Sequence, residues 1–264
     1  MDKKTEIRQG HGSGGKGKLT VVGIGPGGLE HLTPRAKEAI SEADVIVGYT
    51  RYVNLIAALI KDKDTRTSGM TEEVDRCSLA IDLAGAGKTV AVVSSGDSGI
   101  YGMAGLVLQL AGRRGGSAEA FTIEVVPGIP AFVSAAAILG APLMHDFASI
   151  SLSDLLTPWE TIEERINAAA KAGFVMIFYN PKSSKRTEGL KKAIAVVRAY
   201  RGPDTPVGIV RNAARAGQWA VAVPLKAFDA HYDDIDMLTI VIIGSSATSL
   251  TELGMITPRG YRDV

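Results

Sequence analysis

The sequence has few of the features that mark secreted, membrane-spanning or nucleic-acid-binding proteins. Its one cysteine, Cys77, cannot form a disulfide within the chain, and no spacing of cysteine and histidine predicts a metal site. We therefore expect a cytoplasmic protein in which Cys77 packs inside a helix and is not a nucleophile. Lysine and arginine number 29 against 28 acidic residues, so the charge balance favours neither nucleic acid nor a membrane as partner.

Long apolar runs are missing as well. Residues 1–18 are charged and rich in glycine, without the apolar segment of a secretory signal, and we expect a leader that is either disordered or left by cloning. The longest apolar stretch, residues 125–144, is interrupted by Pro127, Pro130 and Pro142. These prolines argue against a membrane span and favour buried core.

From residue 19 onward, short β-branched segments alternate with segments of helical periodicity, a pattern typical of a parallel sheet covered by helices. Thr33 and Pro34 predict the start of a helix ending at residue 42, and Thr157 with Glu160 predicts a capping box. Consecutive strands near the end indicate a mixed second sheet. We predict an α/β protein with domains over residues 19–143 and 144–264. Strands are expected at 19–23, 45–48, 89–94, 121–126, 147–152, 174–179, 207–210, 219–223 and 238–243, and further helices at 71–86, 101–113, 157–171 and 185–200.

A glycine-rich segment follows the first predicted strand. Residues 23–28 satisfy G-x-G-x-x-G, which suggests a dinucleotide-binding oxidoreductase. However, the second strand ends in Gly48 and Tyr49 instead of the acidic residue that would hold a ribose. Pro26 also removes an amide from the loop that would bind a pyrophosphate. A tight turn without a ligand is the other alternative.

Further segments place polar or rigid residues after predicted strands, where open α/β sheets bind ligands. Asp97 follows the strand at 89–94 and is either a ligand contact or a helix N-cap. Residues 126–131 contain two prolines and apolar side chains, which suit an adenine ring or a rigid turn. In the second half, Asn180 and Asn212 each follow a strand. Together these segments predict a cleft that holds a cofactor and a large substrate.

Three of these segments, in this order, resemble the tetrapyrrole (precorrin) methylase family: Gly-Ile-Gly-Pro-Gly at 23–27, Gly-Asp-Ser-Gly-Ile-Tyr at 96–101 and Val-Pro-Gly-Ile-Pro-Ala at 126–131. Within that family, residues 145–159, 179–181 and 211–213 resemble the members that methylate carbon 17 of precorrin-3B. The resemblance spans residues 19–246. It implies a two-domain tetrapyrrole methylase fold, with a mostly parallel N-terminal sheet, a mixed C-terminal sheet, a ligand cleft between the domains, and a homodimer.

The implied activity is transfer of a methyl group from S-adenosylmethionine to carbon 17 of precorrin-3B, with ring contraction to precorrin-4, in cobalamin biosynthesis. The alternatives are the cobalt-factor III methylase of the anaerobic route, another precorrin methylase of this fold, and a tetrapyrrole carrier without enzymatic activity. By the resemblance, the cofactor-binding residues are Pro26, Ser95, Gly96, Asp97, Ile100, Pro130, Ala131, Asn180 and Ala213.

A precorrin carries many carboxylates, so we expect guanidinium and ammonium groups around it. Ring contraction also needs proton transfer. Related uroporphyrinogen methylases have an aspartate shortly after the second strand, where this chain has Tyr49, and this departure leaves the base undecided. The catalytic candidates are Tyr49, His145 and Asp146, with Tyr52 beside them. The substrate-binding candidates are Gly25, Pro26, Gly27, Arg51, Lys182 and Arg211, with Lys185, Arg186 and Arg215 in or next to the same loops.

Overall fold

The computed structural model describes residues 16–113 and 121–262, which form two compact units. The first unit reaches Pro130 and the second begins at Ala131, earlier than the boundary that the sequence places near residue 143. The difference arises because the helix Ala131–Leu139 packs against the strands of the second sheet. Residues 1–15 of the predicted leader lie outside the described residues, and the first strand begins at Gly17.

The first unit contains a five-stranded sheet in which all neighbouring strands are parallel. Helices cover both faces, and for this reason most residues of the central strands are apolar. The strands are β1 (Gly17–Gly23), β2 (Val45–Tyr49), β3 (Asp64–Ser68), β4 (Thr89–Ser94) and β5 (Phe121–Val126), in the spatial order β3-β2-β4-β1-β5. The helices are α1 (Pro34–Glu42) and α2 (Thr50–Leu55) on one face, and α3 (Glu73–Gly85) and α4 (Ala104–Arg113) on the other, with 3-10 turns at Leu29–His31 and Ala57–Leu59.

The prediction of a parallel sheet is confirmed, and β4 and β5 begin and end where the sequence places them. β3 was not predicted, because its five residues are polar and mostly exposed. The predicted start of α1 is also confirmed. The Thr33 hydroxyl accepts a hydrogen bond from the amide of Ala36 (3.1 Å), and Pro34 occupies the first turn.

The second unit contains a five-stranded mixed sheet, as predicted, in which one pair of strands is parallel and three are antiparallel. A small three-stranded sheet, which was not predicted, lies beside it. The strands are β6 (Gly140–Ala141), β7 (Phe147–Ser151), β8 (Val175–Tyr179), β9 (Pro206–Arg211), β10 (Trp219–Pro224), β11 (Thr239–Ile243), β12 (Ser249–Thr251) and β13 (Gly254–Ile256), in the orders β10-β9-β11-β8-β7 and β12-β13-β6. The helices are α5 (Ala131–Leu139), α6 (Trp159–Lys171) and α7 (Glu188–Arg198), followed by a 3-10 helix at Leu225–Asp234.

The capping box predicted at Thr157 and Glu160 is wrong. α6 begins at Trp159, and its N-cap is Pro158 in an extended conformation, with no side-chain hydrogen bond to the cap among the described residues. Because proline fixes φ at a value that suits this position, the helix starts after it and Thr157 stays outside the helix. α3, α4 and α7 likewise begin two or three residues after their predicted starts.

Cys77 lies fully buried in α3. Burial raises the pKa of its thiol to about 11, so the thiol stays protonated at neutral pH. This confirms its predicted packing role. The apolar stretch 125–144 forms α5 and its neighbours. The prediction of buried core holds only in part, because Phe132, Ala135, Ala136 and Leu139 are buried whereas Val133 and Met144 are exposed. Within residues 16–113 and 121–262, every helix is too short or too polar to cross a membrane.

An ion-pair network joins β1, β5 and α1. The carboxylate of Glu124 accepts hydrogen bonds from Nε (2.7 Å) and Nη2 (2.6 Å) of Arg35, and Nζ of Lys18 lies 3.1 Å from it. The hydrogen bonds from Arg35 are the main cause that lowers the pKa of Glu124 from 4.5 to about 2. The carboxylate therefore stabilises the first unit only while it is ionised.

A buried guanidinium links elements of the second unit, and it has no acidic partner among residues 16–113 and 121–262. Arg201 is 9% exposed, and it donates hydrogen bonds to the carbonyls of Ala170 (2.7 Å), Phe174 (3.0 Å) and Gly244 (3.2 Å). Burial lowers the pKa of Arg201. Its hydrogen bonds tie the end of α6 to the end of β11, so the contact is structural.

Candidate functional site

Three loops meet at the carboxyl edge of the parallel sheet, because β4, β1 and β5 are neighbours in the sheet. The loop after β1 and the loop after β4 pair through two main-chain hydrogen bonds. The Gly25 amide donates to the Gly96 carbonyl (3.0 Å), and the Gly96 amide donates to the Gly25 carbonyl (2.7 Å). Both glycines have left-handed backbone angles, with φ of +73° and +68°. The G-x-G-x-x-G segment is therefore part of a strand-like pairing between loops.

The third loop joins them by close contact of main chains. A side-chain carbon on Gly128 would lie 2.2 Å from the carbonyl oxygen of Gly96 and 2.7 Å from the main chain of Gly23. A side-chain carbon on Gly23 would in turn lie 2.6 Å from the Gly128 amide nitrogen. Only glycine fits at these two positions, so the spacing of the motifs follows from packing between the loops.

Asp97 fixes this arrangement with both oxygens of its carboxylate. Oδ1 accepts a hydrogen bond from the Gly99 amide (2.8 Å) and Oδ2 one from the Gly128 amide (3.0 Å). Because α4 begins only at Ala104, Asp97 is not its N-cap, which was the alternative interpretation. The side chain instead holds the second loop in shape and attaches it to the third.

The structure brings the first set of predicted ligand residues together at this edge. The segments 23–28, 94–101 and 126–130 all lie there, with Gly25, Pro26, Gly27 and Gly96 buried and Asp97, Ile100 and Pro130 partly buried. Ser95 is also partly buried. Ala131, predicted beside Pro130, is the first residue of α5 and belongs to the second unit.

Tyr49 lies at the same edge, at the end of β2. Its ring packs edge-on against Tyr52, with 5.1 Å between centroids, and the guanidinium of Arg76 lies 5.9 Å from the centroid of Tyr49. Arg76 is 5% exposed and also donates to Ser68 Oγ (2.9 Å) and the Gly69 carbonyl (2.6 Å). Arg76 was not predicted from the sequence, since a single arginine near a helix start carries no distinguishing pattern.

The second set of predicted residues lies at one edge of the mixed sheet. β8 and β9 are both antiparallel to β11, which lies between them, so their carboxyl ends point the same way. Asn180 and Asn212 follow these ends with left-handed backbone angles (φ +50° and +53°), and Ala213 is buried. The Asn180 side chain donates to Ser151 Oγ (3.0 Å) at the end of β7. Ser151 was also missed, because its strand partner is visible only in the fold.

Two of the three predicted substrate cations are engaged with other parts of the chain. Nζ of Lys182 donates to the Tyr232 carbonyl (2.7 Å) and lies 4.3 Å from the centre of its ring. Nε of Arg211 forms an ion pair with Asp236 (2.8 Å). Arg51, on the exposed face of α2, makes no ion pair with any residue that the structure describes.

His145 and Asp146 lie elsewhere. They precede β7, so they lie at its amino end, whereas Ser151 and Asn180 mark the carboxyl edge. The four intervals along β7 separate the two edges by about 13 Å at 3.3 Å per residue. The Asp146 amide donates to His145 Nδ1 (2.8 Å), and both side chains are exposed. Within the second unit, these two catalytic candidates are therefore not brought together with the strand-end residues.

The sequence matches one protein family and several named methyltransferases. The family model of the Tetrapyrrole (Corrin/Porphyrin) Methylases matches residues 18–229. A probable cobalt-factor III C(17)-methyltransferase of Salmonella typhimurium is 46% identical over 92% of this chain and 99% of that protein. A precorrin-3B C(17)-methyltransferase of Sinorhizobium sp is 40% identical over 93% of this chain and 97% of that protein. A cobalt-factor III methyltransferase of Priestia megaterium is 53% identical, and this chain spans 46% of its length.

Solved structures of methyltransferases superpose on this chain. The crystal structure of the methyltransferase CobJ superposes with a TM-score of 0.86 at 36% identity, over 92% of this chain and all of that one. The uroporphyrin-III C-methyl transferase from Thermus thermophilus, complexed with S-adenyl homocysteine, superposes with a TM-score of 0.67 at 22% identity over 86% of this chain and 92% of that one, which shows a shared fold. Given the extent of the family match and the identity to relatives of nearly equal length, the chain belongs to the Tetrapyrrole (Corrin/Porphyrin) Methylases.

Proposed function

We propose that this chain transfers a methyl group from S-adenosylmethionine to carbon 17 of a tetrapyrrole in cobalamin biosynthesis, with contraction of the ring. It belongs to a methylase family, and the Salmonella and Sinorhizobium relatives are named for transfer to carbon 17. One observation carries the proposal. The loops after β1, β4 and β5 are locked together at one sheet edge, and they contain most of the residues expected to hold the methyl donor.

The acceptor is cobalt-factor III or precorrin-3B, and relative identity favours the first. At nearly full length, the Salmonella relative named for cobalt-factor III is 46% identical, against 40% for the Sinorhizobium relative named for precorrin-3B. Cobalt enters only as part of the substrate.

The residues at the carboxyl edge of the parallel sheet suit the chemical parts of S-adenosylmethionine. Ile100 and Pro130 present partly buried apolar surface for an adenine ring, and the main chain and hydroxyl of Ser95 suit polar groups. In the second unit, Asn180 and Ala213 lie at a strand-end edge of the same kind. When bound, the donor supplies a methyl group already activated by the sulfonium.

The contribution of the chain to the rate is mainly positioning. A displacement at a methyl group requires the acceptor carbon to be held in line and close to contact, which can account for several orders of magnitude in rate. The paired Gly25 and Gly96 and the two hydrogen bonds of Asp97 fix the loops before any ligand arrives. For the proton transfer of ring contraction we favour Tyr49, which lies at this edge, over His145 and Asp146.

The proposal includes three finer points. The chain acts in the cytoplasm, because its single cysteine suits a reducing compartment. It is a homodimer, which light scattering would test against the chain mass of 27.7 kDa. The strand-end residues of both units contribute to one ligand cleft, so Asn180→Ala and Asp97→Ala should each weaken donor binding. An effect of only one of these substitutions would contradict the shared cleft.

A ligand-binding test separates this proposal from the oxidoreductase alternative. We expect S-adenosylhomocysteine to raise the melting temperature, since a ligand at 100 times its Kd stabilises the native state by about 2.7 kcal/mol. NAD should not do so, because the amides of Ile24 and Gly25 already donate to main-chain carbonyls at 2.9 and 3.0 Å. A shift of equal size with NAD would reverse the conclusion.

Turnover separates an enzyme from a carrier. The protein is incubated without oxygen with methyl-labelled donor and either cobalt-factor III or precorrin-3B, and the product is analysed by mass spectrometry and carbon NMR. We expect a gain of one methyl group, with the label at carbon 17. Omission of the donor is the control. A tetrapyrrole that binds but gains no methyl group would favour the carrier, and a label at another carbon would point to a different methylase of the same fold.

A further inference from the structure

The most exposed leucines of the second unit include an adjacent pair at one end of the mixed sheet. Leu155 is 71% exposed and Leu156 is 98% exposed. They lie between β7 and α6, in a segment of residues 152–158 that we call the β7–α6 loop. Single exposed leucines are common, but two in succession at a strand end that carries ligand residues indicate a surface that a ligand covers.

The base of the β7–α6 loop is firmly attached to the ligand edge. The Leu152 amide donates to the Tyr179 carbonyl (2.9 Å), and Nη1 of Arg186 donates to the Leu152 carbonyl (3.3 Å). Ser151 Oγ accepts both the Ser153 amide (3.3 Å) and the side chain of Asn180 (3.0 Å). The loop therefore starts from a fixed position beside Asn180, while its tip presents the two leucines to solvent.

The charges around this tip favour an anionic partner. Three cations follow β8. Nζ of Lys182 lies 3.7 Å from Oδ1 of Asp233 and Arg186 donates to the Leu152 carbonyl, whereas Lys185 is exposed without an ion pair to any described residue. Asp154 is the acidic residue of the loop itself. An apolar tip beside cations suits a molecule with a broad apolar face and carboxylates around its rim. A reduced tetrapyrrole has this character.

We propose that Leu155 and Leu156 form an apolar contact with the macrocycle of the tetrapyrrole acceptor, while the Lys185 ammonium attracts one of its carboxylates. This inference rests on the proposed function and adds to it a binding surface for the acceptor. The donor is held by other loops, so the leucines affect the affinity for the acceptor and leave the affinity for the donor unchanged.

The test replaces both leucines by serine and compares three variants. Leu155→Ser with Leu156→Ser removes the apolar surface, and Leu155→Met with Leu156→Met retains it. Leu253→Ser is the matched control, because this leucine is 86% exposed on the turn between β12 and β13. For each variant we measure KM and kcat for the acceptor, Kd for S-adenosylhomocysteine, the melting temperature and the mass in solution.

We expect the double serine variant to raise the acceptor KM roughly tenfold or more, the range for loss of a buried leucine contact. The Kd for S-adenosylhomocysteine and the melting temperature should stay unchanged, and the methionine and Leu253 variants should behave as wild type. An unchanged KM overturns the inference. If the KM is unchanged and the mass in solution falls, the leucines pair with a second copy of the chain.

Failure of the proposed function gives a different result. In that case the wild-type protein itself does not methylate either tetrapyrrole. Binding of the tetrapyrrole, followed by its absorbance, then replaces KM as the measurement. Equal affinity of the wild-type and double serine proteins would overturn the inference, and a weaker affinity of the variant alone would support it.

Discussion

Replacing Gly128 with alanine tests whether the three loops of the first unit must be in direct contact. The added methyl group would lie 2.2 Å from the Gly96 carbonyl oxygen and 2.7 Å from the main chain of Gly23. Both neighbours are backbone, so no rotamer change relieves the clash. The third loop must move away, and the hydrogen bond from the Gly128 amide to Asp97 (3.0 Å) is then lost or lengthened.

The expected loss of stability follows from these two effects. Overpacking in a well-packed region costs roughly 1–3 kcal/mol. Loss of a hydrogen bond to a charged acceptor costs roughly 1.5–3 kcal/mol more. A sum of about 2.5–6 kcal/mol is a large part of the stability of a typical domain, about 5–15 kcal/mol, and corresponds to a fall of roughly 5–24 °C in melting temperature.

Calorimetry of Gly128→Ala, together with titration of S-adenosylhomocysteine, measures both consequences. Gly105→Ala is the control, because no described atom outside the backbone of its own helix lies within 4 Å of the position of its added carbon. Alanine is also favoured over glycine in a helix by about 1 kcal/mol. We expect the control to melt at or above the wild-type temperature and to bind the ligand normally. A Gly128 variant that melts with the wild type and binds equally well would refute the packing explanation.

Three further predictions concern single side chains. Asp97→Ala should weaken binding of S-adenosylhomocysteine at least tenfold and leave the circular dichroism spectrum unchanged, since the loss is confined to loops; unchanged affinity would contradict this. Glu124→Gln should lower the free energy of unfolding by up to about 2 kcal/mol above pH 4.5. The wild type should lose the same stability as the pH falls from 4.5 towards 2, because Glu124 becomes protonated. Denaturant unfolding between these pH values measures the difference, with Glu164→Gln as control. Arg201→Met should destabilise by roughly 2–4 kcal/mol in urea unfolding, since three carbonyls lose donors, whereas Arg165→Met should be neutral.

Strands of the first unit that helices bury on both faces were predictable from their apolar sequences. β4 lies inside a sheet with helices on both faces, so burial makes its sequence apolar between Thr89 and Ser94. β3 lies at the edge of the same sheet, and β2 is its one partner among the strands that the structure describes. Nothing in its five polar residues indicates a strand, since its position is fixed by main-chain hydrogen bonds to β2 and not by burial.

The candidate site was predictable where topology alone decides the position. Loops after parallel strands must emerge at one edge, which placed Asp97 and residues 126–130 together correctly. His145 and Asp146 are close in sequence to Ser151, yet one strand separates them from its edge. Arg76 and Ser151 act through contacts with Tyr49 and Asn180 that no local pattern reveals.

The glycine segment shows how hydrogen bonding decides what a motif does. In a dinucleotide site, the amides of G-x-G-x-x-G point at the pyrophosphate. Here the Gly25 amide is used by the Gly96 carbonyl, and Pro26 has no amide to offer. The same spacing of glycines therefore serves close packing between loops. The pattern indicates a dinucleotide site only when the main-chain amides of the segment are available to the ligand. The sequence agrees with these hydrogen bonds, because Tyr49 ends β2 at the position where a dinucleotide site needs an acidic residue.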